Sequence, residues 1–379
     1  MGEIFLNDDI YEFDNDASAS SFGWDFQANA GIFLFLKLFA DAKDIKIESK
    51  KQDIEITLND SSKVFAQAKS TQDYTSCKDG REKLKDAIIS LSRNNYKNNK
   101  LVYISNIPNT FPKCNDCFNN VIVSYEDSLD GVKKDMYNIL ESILKKLNDK
   151  LKKESDTTKI NKIKLTIDKI KEFHTENLYF STICPYYGPN NVRYMKIKEI
   201  IHEFLINKVH LSNEDTNNIS EKLLIFWQDY FQFNSTTKDG DINKSISKEK
   251  FAWPIVIYLV DRDVPEVESC LSFTPDNSLR EEIKRYLNDI HCVYHERYRF
   301  TNTVLQDYNN YKNQIVNNTP KNIELDFVKK CGSKYYSEFG EIDDCDKELK
   351  EYVTKTFIYR ILLNNRKVSS VFKTVGIKI

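Results

Sequence analysis

The apolar and polar positions become regular after residue 20. Residues 21–42, SFGWDFQANAGIFLFLKLFADA, are apolar almost all round. That pattern belongs to a helix buried on most sides, and Asp16, Ser18 and Ser20 are candidates to cap it. IKIE (45–48) reads as a short strand. DIEITL (53–58) alternates strictly, with Asp53, Glu55 and Thr57 on one face and Ile54, Ile56 and Leu58 on the other. KVFAQAKS (63–70) alternates again after the turn-forming Asn59-Asp60-Ser61-Ser62. Leu84, Ile88 and Leu91 have helical spacing within 81–93, and LVYIS (101–105) is an apolar run suited to a buried strand. The predicted order is helix, strand, strand, strand, helix, strand, complete by about residue 106.

Beyond this the periodicity is helical. Residues 107–131 hold Pro108, Pro112 and a Cys114-x-x-Cys117 pair and read as a connection. Met136, Leu140, Ile143 and Leu147, then Ile160, Ile163, Ile167 and Ile170, recur at 3–4 spacing. They predict a helical hairpin with its turn and cap at 154–158. Amphipathic stretches follow at 192–209, 218–232, 278–298 and 347–364, with a polar loop at 234–245. TENLYFS (175–181) falls within this half, which reads as mostly helical with no catalytic signature of its own.

Composition sharpens the picture in three ways. Gly and Pro number only 10 and 8 in 379 residues, so the chain favours regular structure over a sandwich of many tight turns. The formal net charge of -2 gives no global pull toward a polyanion, so only local charge can speak. Twelve lysines fall within 132–173, either a solvated helical face or a contact for a DNA backbone or partner. The first 20 residues hold acidic side chains and no basic one, a solvated arm or a shield for a nucleic-acid site. The longest apolar runs, 30–36 and 251–260, are far short of the roughly 20 residues of a membrane helix. With no signal peptide at the start, the chain reads as cytoplasmic with reduced thiols. Cys114 and Cys117 are half of a zinc set that His291, Cys292 and His295 would have to complete, and a structural zinc is not expected.

The chemistry lies in Asp53-x-Glu55 followed by Gln67-x-Lys69. Two-residue spacing gathers two carboxylates, an amide and an ammonium on one face of a hairpin. They share that face only if paired residues have the same parity, for example Asp53 opposite Lys69 and Glu55 opposite Gln67, with an odd-length loop such as 59–63. Oxygen ligands suit Mg²⁺ or Mn²⁺, which would activate water for phosphodiester hydrolysis. A neighbouring lysine would stabilise negative charge. The five histidines, at 174, 202, 210, 291 and 295, are all remote in sequence.

Helix–strand–strand–strand–helix–strand with Asp…Gln-x-Lys resembles the PD-(D/E)xK nuclease core, in the variant with Gln for the usual acid. More narrowly, GWDFQ (23–27), Glu48 with Asp53, and QAKS (67–70) resemble the double-stranded DNA nuclease domain of several anti-phage effectors. Among these are the SAVED-domain effector of cyclic-oligonucleotide systems and, fitting length and helical half better, the nuclease subunit of Lamassu (ABC three-component) systems. The resemblance covers about residues 18–110. It implies a restriction-endonuclease-like α/β core (αβββαβ) at 1–110, a connection at 111–131, and a mostly α-helical domain for oligomerisation and partner docking at 132–379.

By the same resemblance Asp53 is the main metal ligand, Gln67 the second and Lys69 the catalytic lysine. Gln27 matches the first-helix polar residue and would sit over the metal, with Ala30 and Gly31 leaving space. Glu48 is an auxiliary ligand, and geometry adds Glu55 beside Asp53. The implied function is Mg²⁺-dependent cleavage of double-stranded DNA by a homo-oligomer held in check by an SMC-like ATPase and a small accessory subunit. The alternatives are a non-catalytic DNA-binding or scaffold subunit of the same fold, or a nuclease with a fused ligand sensor.

Overall fold

Helix α1 (Ser21–Lys37) buries eleven of its residues, among them Phe26, Phe33 and Phe35. That explains why its sequence is apolar on every side. The computed structural model describes residues 21–49, 52–72, 77–107, 110–111, 117–184, 186–235, 245–260, 294–315, 322–337 and 347–377. The proposed capping residues Asp16, Ser18 and Ser20 lie outside them, as does most of the stretch 278–298.

After α1 the chain lays down β1 (Ala42–Ile47), β2 (Ile54–Leu58) and β3 (Lys63–Lys69), crosses through α2 (Cys77–Leu91), and returns as β4 (Lys100–Ser105). The predicted element order is present. β1, β2 and β3 pair antiparallel, and β3 pairs parallel with β4. Three more strands join them: β5 (Val123–Ser124), β6 (Leu178–Thr182) and β7 (Ile246–Ser247). Among the described residues the sheet has seven strands in the order β5-β6-β4-β3-β2-β1-β7.

β6 is the main departure from the sequence reading, which placed its residues in the helical half. It pairs parallel with β4, Leu101 beside Leu178 and Tyr103 beside Phe180. A parallel pair needs a crossover, and the predicted hairpin, α3 (Asp130–Lys153) and α4 (Thr157–Lys171), lies within it. Asp156 caps α4, its carboxylate accepting from the N–H groups of Thr158 and Lys159. The apolar stripe Val132, Met136, Ile139, Ile143 and Leu147 of α3 joins Ile163, Ile167 and Ile170 of α4 in one core with Phe65, Tyr103 and α2.

The sheet therefore has two distinct faces. Phe65, Leu101, Tyr103, Leu178 and Phe180 face α2, α3 and α4. Residues of the other parity, Ile45, Ile47, Ile54 and Ile56, lie under α1. A Cβ on Gly31 would fall 2.5 Å from Ile47 Cδ1. Gly31 thus serves close helix–strand packing rather than the open space expected of it.

The chain divides into two compact units, residues 1–201 with 227–247, and 202–226 with 248–379. The sheet-bearing unit extends past 110 because β6 and the hairpin are integral to it. To it belong α5 (Asn190–Arg193), the start of α6 (Met195–Asn207) and the end of α7 (Asn213–Ser235). Among the described residues the second unit is helical, with α8 (Lys248–Val260), α9 (Tyr294–Gln314), α10 (Ile323–Cys331), α11 (Lys347–Leu363) and α12 (Asn365–Thr374). Among the described residues no helix is long and apolar enough to cross a membrane.

Candidate active site

The β2–β3 hairpin turns through three residues, Asn59, Asp60 and Ser61. Leu58 N–H donates to Ser62 C=O at 2.9 Å, and Ser61 takes the left-handed conformation at φ 69°. A three-residue loop closing on a left-handed residue is a common hairpin solution. Its odd length gives the parity that Asp53, Glu55, Gln67 and Lys69 need to share a face. The register sits two residues from the expected one. Ile54 pairs with Ala66 and Glu55 with Phe65, so Asp53 lies across from Gln67 rather than Lys69.

Asp53 stands just before β2, and its carboxylate is the hub of the site. Oδ1 accepts from Gln67 Nε2 at 3.1 Å. Oδ2 accepts from Ala68 N–H at 2.9 Å and faces Lys69 Nζ at 3.4 Å. The β2–β3 ladder ends at Ile54 and Ala66, so this carboxylate takes the place of the next main-chain acceptor. Lys69 and Asp53 are partly exposed, with 28% and 14% of their side chains open to solvent, so the pair is reachable from outside. Gln67 is buried, and its second amide proton goes to Gln52 Oε1 at 2.7 Å.

The exit of β3 is held by Asn106, a buried residue immediately after β4. Its Oδ1 accepts from Thr71 N–H at 2.9 Å, and its Nδ2 donates to Thr71 C=O at 2.6 Å and Tyr186 C=O at 3.2 Å. Lys69, two residues before Thr71, therefore leaves the sheet in a fixed direction.

The other expected site residues are placed differently. Glu55 is on the right face, but its carboxylate pairs with Lys63 Nζ at 2.6 Å, one strand-length back toward the loop. Glu48 is in the β1–β2 turn in the left-handed region, φ 52°, and its N–H donates to Asp53 C=O at 2.8 Å. Gln27 is one turn before Gly31 on α1, which covers the opposite face of the sheet. Among the described residues the buried Gln27 Oε1 has no hydrogen-bond partner. Cys117 is disulfide-bonded, which removes that thiol from any zinc set and departs from the reduced-thiol expectation. Cys114, His291 and Cys292 lie outside the described residues. Among the described residues no three His, Cys, Asp or Glu side chains converge as a metal group.

The GWDFQ stretch instead builds a second polar cluster through Asp25. Its Oδ2 accepts from Tyr186 OH at 2.6 Å, and its Oδ1 from Tyr194 OH at 2.7 Å. Arg193 Nη1 lies 3.6 Å from the same carboxylate. Tyr186 OH also accepts from the fully buried Asn29 at 2.9 Å, and Gln228 Nε2 donates to Asn29 Oδ1 at 2.9 Å. Burial and donation to Asp25 push the Tyr194 hydroxyl up to about 12. Burial, then the Asp25 charge, push Tyr186 up as well. A cavity of about 510 Å³ lies beside this cluster on the α1 side, lined by Trp24, Asp25, Ile47, Gln228 and Phe231 among others.

Sequence reasoning missed Gln52, Asn106 and Tyr186. Gln52 and Asn106 each sit one residue outside a predicted strand, where alternation says nothing about direction. Tyr186 carried no signal at all. Searches against protein-family models, curated proteins and solved structures find no match to this chain.

Proposed function

We propose that the chain is a divalent-cation-dependent endonuclease of the PD-(D/E)xK kind, acting on double-stranded DNA as the effector subunit of an anti-phage complex. The observation that carries the reading is the meeting of Asp53, Gln67 and Lys69 at the open end of the β2–β3 hairpin, with Lys69 Nζ 3.4 Å from Asp53 Oδ2. Three antiparallel strands followed by a parallel β4, after one buried helix, are also what that nuclease core requires.

The donor set suits a hard cation held by few protein atoms. Asp53 offers carboxylate oxygens and Gln67 an amide oxygen, so Mg²⁺ or Mn²⁺ here keeps most of its water. When bound, the ion acidifies water and offsets phosphate charge. The chain does the rest. Ala68 N–H fixes the Asp53 carboxylate, Gln67 supplies a neutral oxygen, and the Lys69 ammonium meets negative charge growing on the phosphate. One such site cuts one strand, so a double-strand break takes two copies of the chain. An SMC-like ATPase and a small accessory subunit would restrain that pairing.

The test is plasmid cleavage in Mg²⁺ by wild type and by Lys69→Ala. The substitution is expected to lower the rate by about a hundredfold or more while leaving the urea midpoint unchanged. Equal cutting by the two proteins, or no metal-dependent cutting by wild type with its partners present, defeats the reading. One observation favours the second reading, a non-catalytic DNA-binding subunit. Both Asp53 oxygens already have protein donors, as a strand-end cap would. In that case Asp53→Ala weakens the fold and changes no cleavage.

A further inference from the structure

Resting on the nuclease reading, we propose that Gln52 is a positioning residue that decides which end of the Gln67 amide faces the cation. A carboxylate at that position would have no wrong end, whereas an amide has one. With nitrogen turned outward, Gln67 would present protons to a cation and bind nothing. The buried hydrogen bonds select the productive orientation.

The chain of constraint starts at Ser90 in the last turn of α2. Its main-chain carbonyl can only accept, and Gln52 Nε2 donates to it at 2.7 Å. Gln52 is buried, so its amide is fixed with Oε1 pointing away from Ser90 and toward Gln67. Gln67 Nε2 donates to that oxygen at 2.7 Å. Its other proton goes to Asp53 Oδ1 at 3.1 Å, a second group able only to accept. Both Gln67 protons are consumed, and its carbonyl oxygen is the atom left for a cation. Flipping Gln67 would set oxygen against oxygen at Gln52 and at Asp53 together. Flipping Gln52 would set oxygen against the Ser90 carbonyl. The direction of the whole relay thus descends from one helix carbonyl that cannot change its role.

The test is Mn²⁺ binding to the full chain without DNA, measured by calorimetry, for wild type, Gln52→Met, Gln67→Glu and the double variant. Gln52→Met keeps the bulk and removes the amide. It is expected to weaken Mn²⁺ binding about tenfold, as loss of an outer partner of a ligand does. In the Gln67→Glu background the same substitution is expected to change binding less than twofold, because a carboxylate needs no orientation.

Unchanged binding in Gln52→Met overturns the proposal, as does an equal loss in both backgrounds. Absence of Mn²⁺ binding by wild type fails the metal reading itself and the proposal with it. A second measurement needs no variant. Both side-chain amide protons of Gln67 are expected to exchange slowly with solvent in wild type, and fast exchange of either overturns the relay.

Discussion

Asn106 shows how one buried amide can control a site it does not enter. Its two ends grip the N–H and C=O of Thr71, and with them the strand end that carries Lys69. Asn106→Ala removes three buried hydrogen bonds, to Thr71 N–H, Thr71 C=O and Tyr186 C=O, so a loss of about 3 kcal/mol in urea unfolding is expected, at about 1 kcal/mol per bond. The Asp25 cluster makes a different prediction. Burial, then donation to Asp25, push the Tyr194 hydroxyl up to about 12 from the 10 of a free tyrosine. A raised pKa means that the protonated hydroxyl is the stabilising form. Its contribution is complete below pH 10 and fades as pH climbs toward 12. Urea midpoints measured from pH 8 to 11.5 should hold level and then fall, and Tyr194→Phe should fall less steeply. At this scale the sequence was legible wherever a strand's alternation fixed direction, as for Gln67 and Lys69. Glu55 was placed on the correct face, but alternation cannot say that Lys63 claims its carboxylate. Asp25 lies in the GWDFQ stretch that carried part of the family resemblance, while its geometry ties α1 to the segment carrying Tyr186 and Tyr194.

At the scale of elements, helices with a 3–4 stripe and hairpins joined by a short polar turn were readable, because neighbours in sequence supply the contacts that define them. β6 was not, because its partner β4 lies far away in the chain and its five residues have too few alternations to declare themselves. Once β6 joins the sheet in parallel, α3 and α4 must lie in a crossover, and their apolar stripe must face the sheet. Leu147, fully buried near the end of α3, is expected to lose about 3 kcal/mol on replacement by Ala, as core Leu→Ala changes do. Lys152 is five residues on and exposed, and Lys152→Ala should change stability by less than about 0.5 kcal/mol. Urea unfolding of both variants checks this, and equal midpoints would mean that the hairpin is not part of the sheet's core.

The largest scale decides what can be cut away. The sequence division at residue 110 implies that a chain ending near 115 keeps the site. In the structure that truncation removes β6, α3 and α4 together. It lays bare Phe65, Leu84, Ile88, Leu101 and Tyr103, all now in one core with the lost helices. At about 2 kcal/mol for each large side chain returned to water, the cost reaches the whole net stability of a typical domain, about 5–15 kcal/mol. Ending at residue 201 keeps those partners but discards the end of α7. There Gln228 bonds Asn29, and Phe231 lies 3.5 Å from where a Gly31 Cβ would stand. Helix α1 would lose one wall and part of its buried polar network. The expected order of cooperativity in urea unfolding, followed by circular dichroism, is therefore full chain, then 1–201, then 1–115 with no cooperative transition. A 1–115 chain that unfolds in one sharp step would show that the sheet stands without its crossover, and that the β2–β3 hairpin is separable from the helices covering its face.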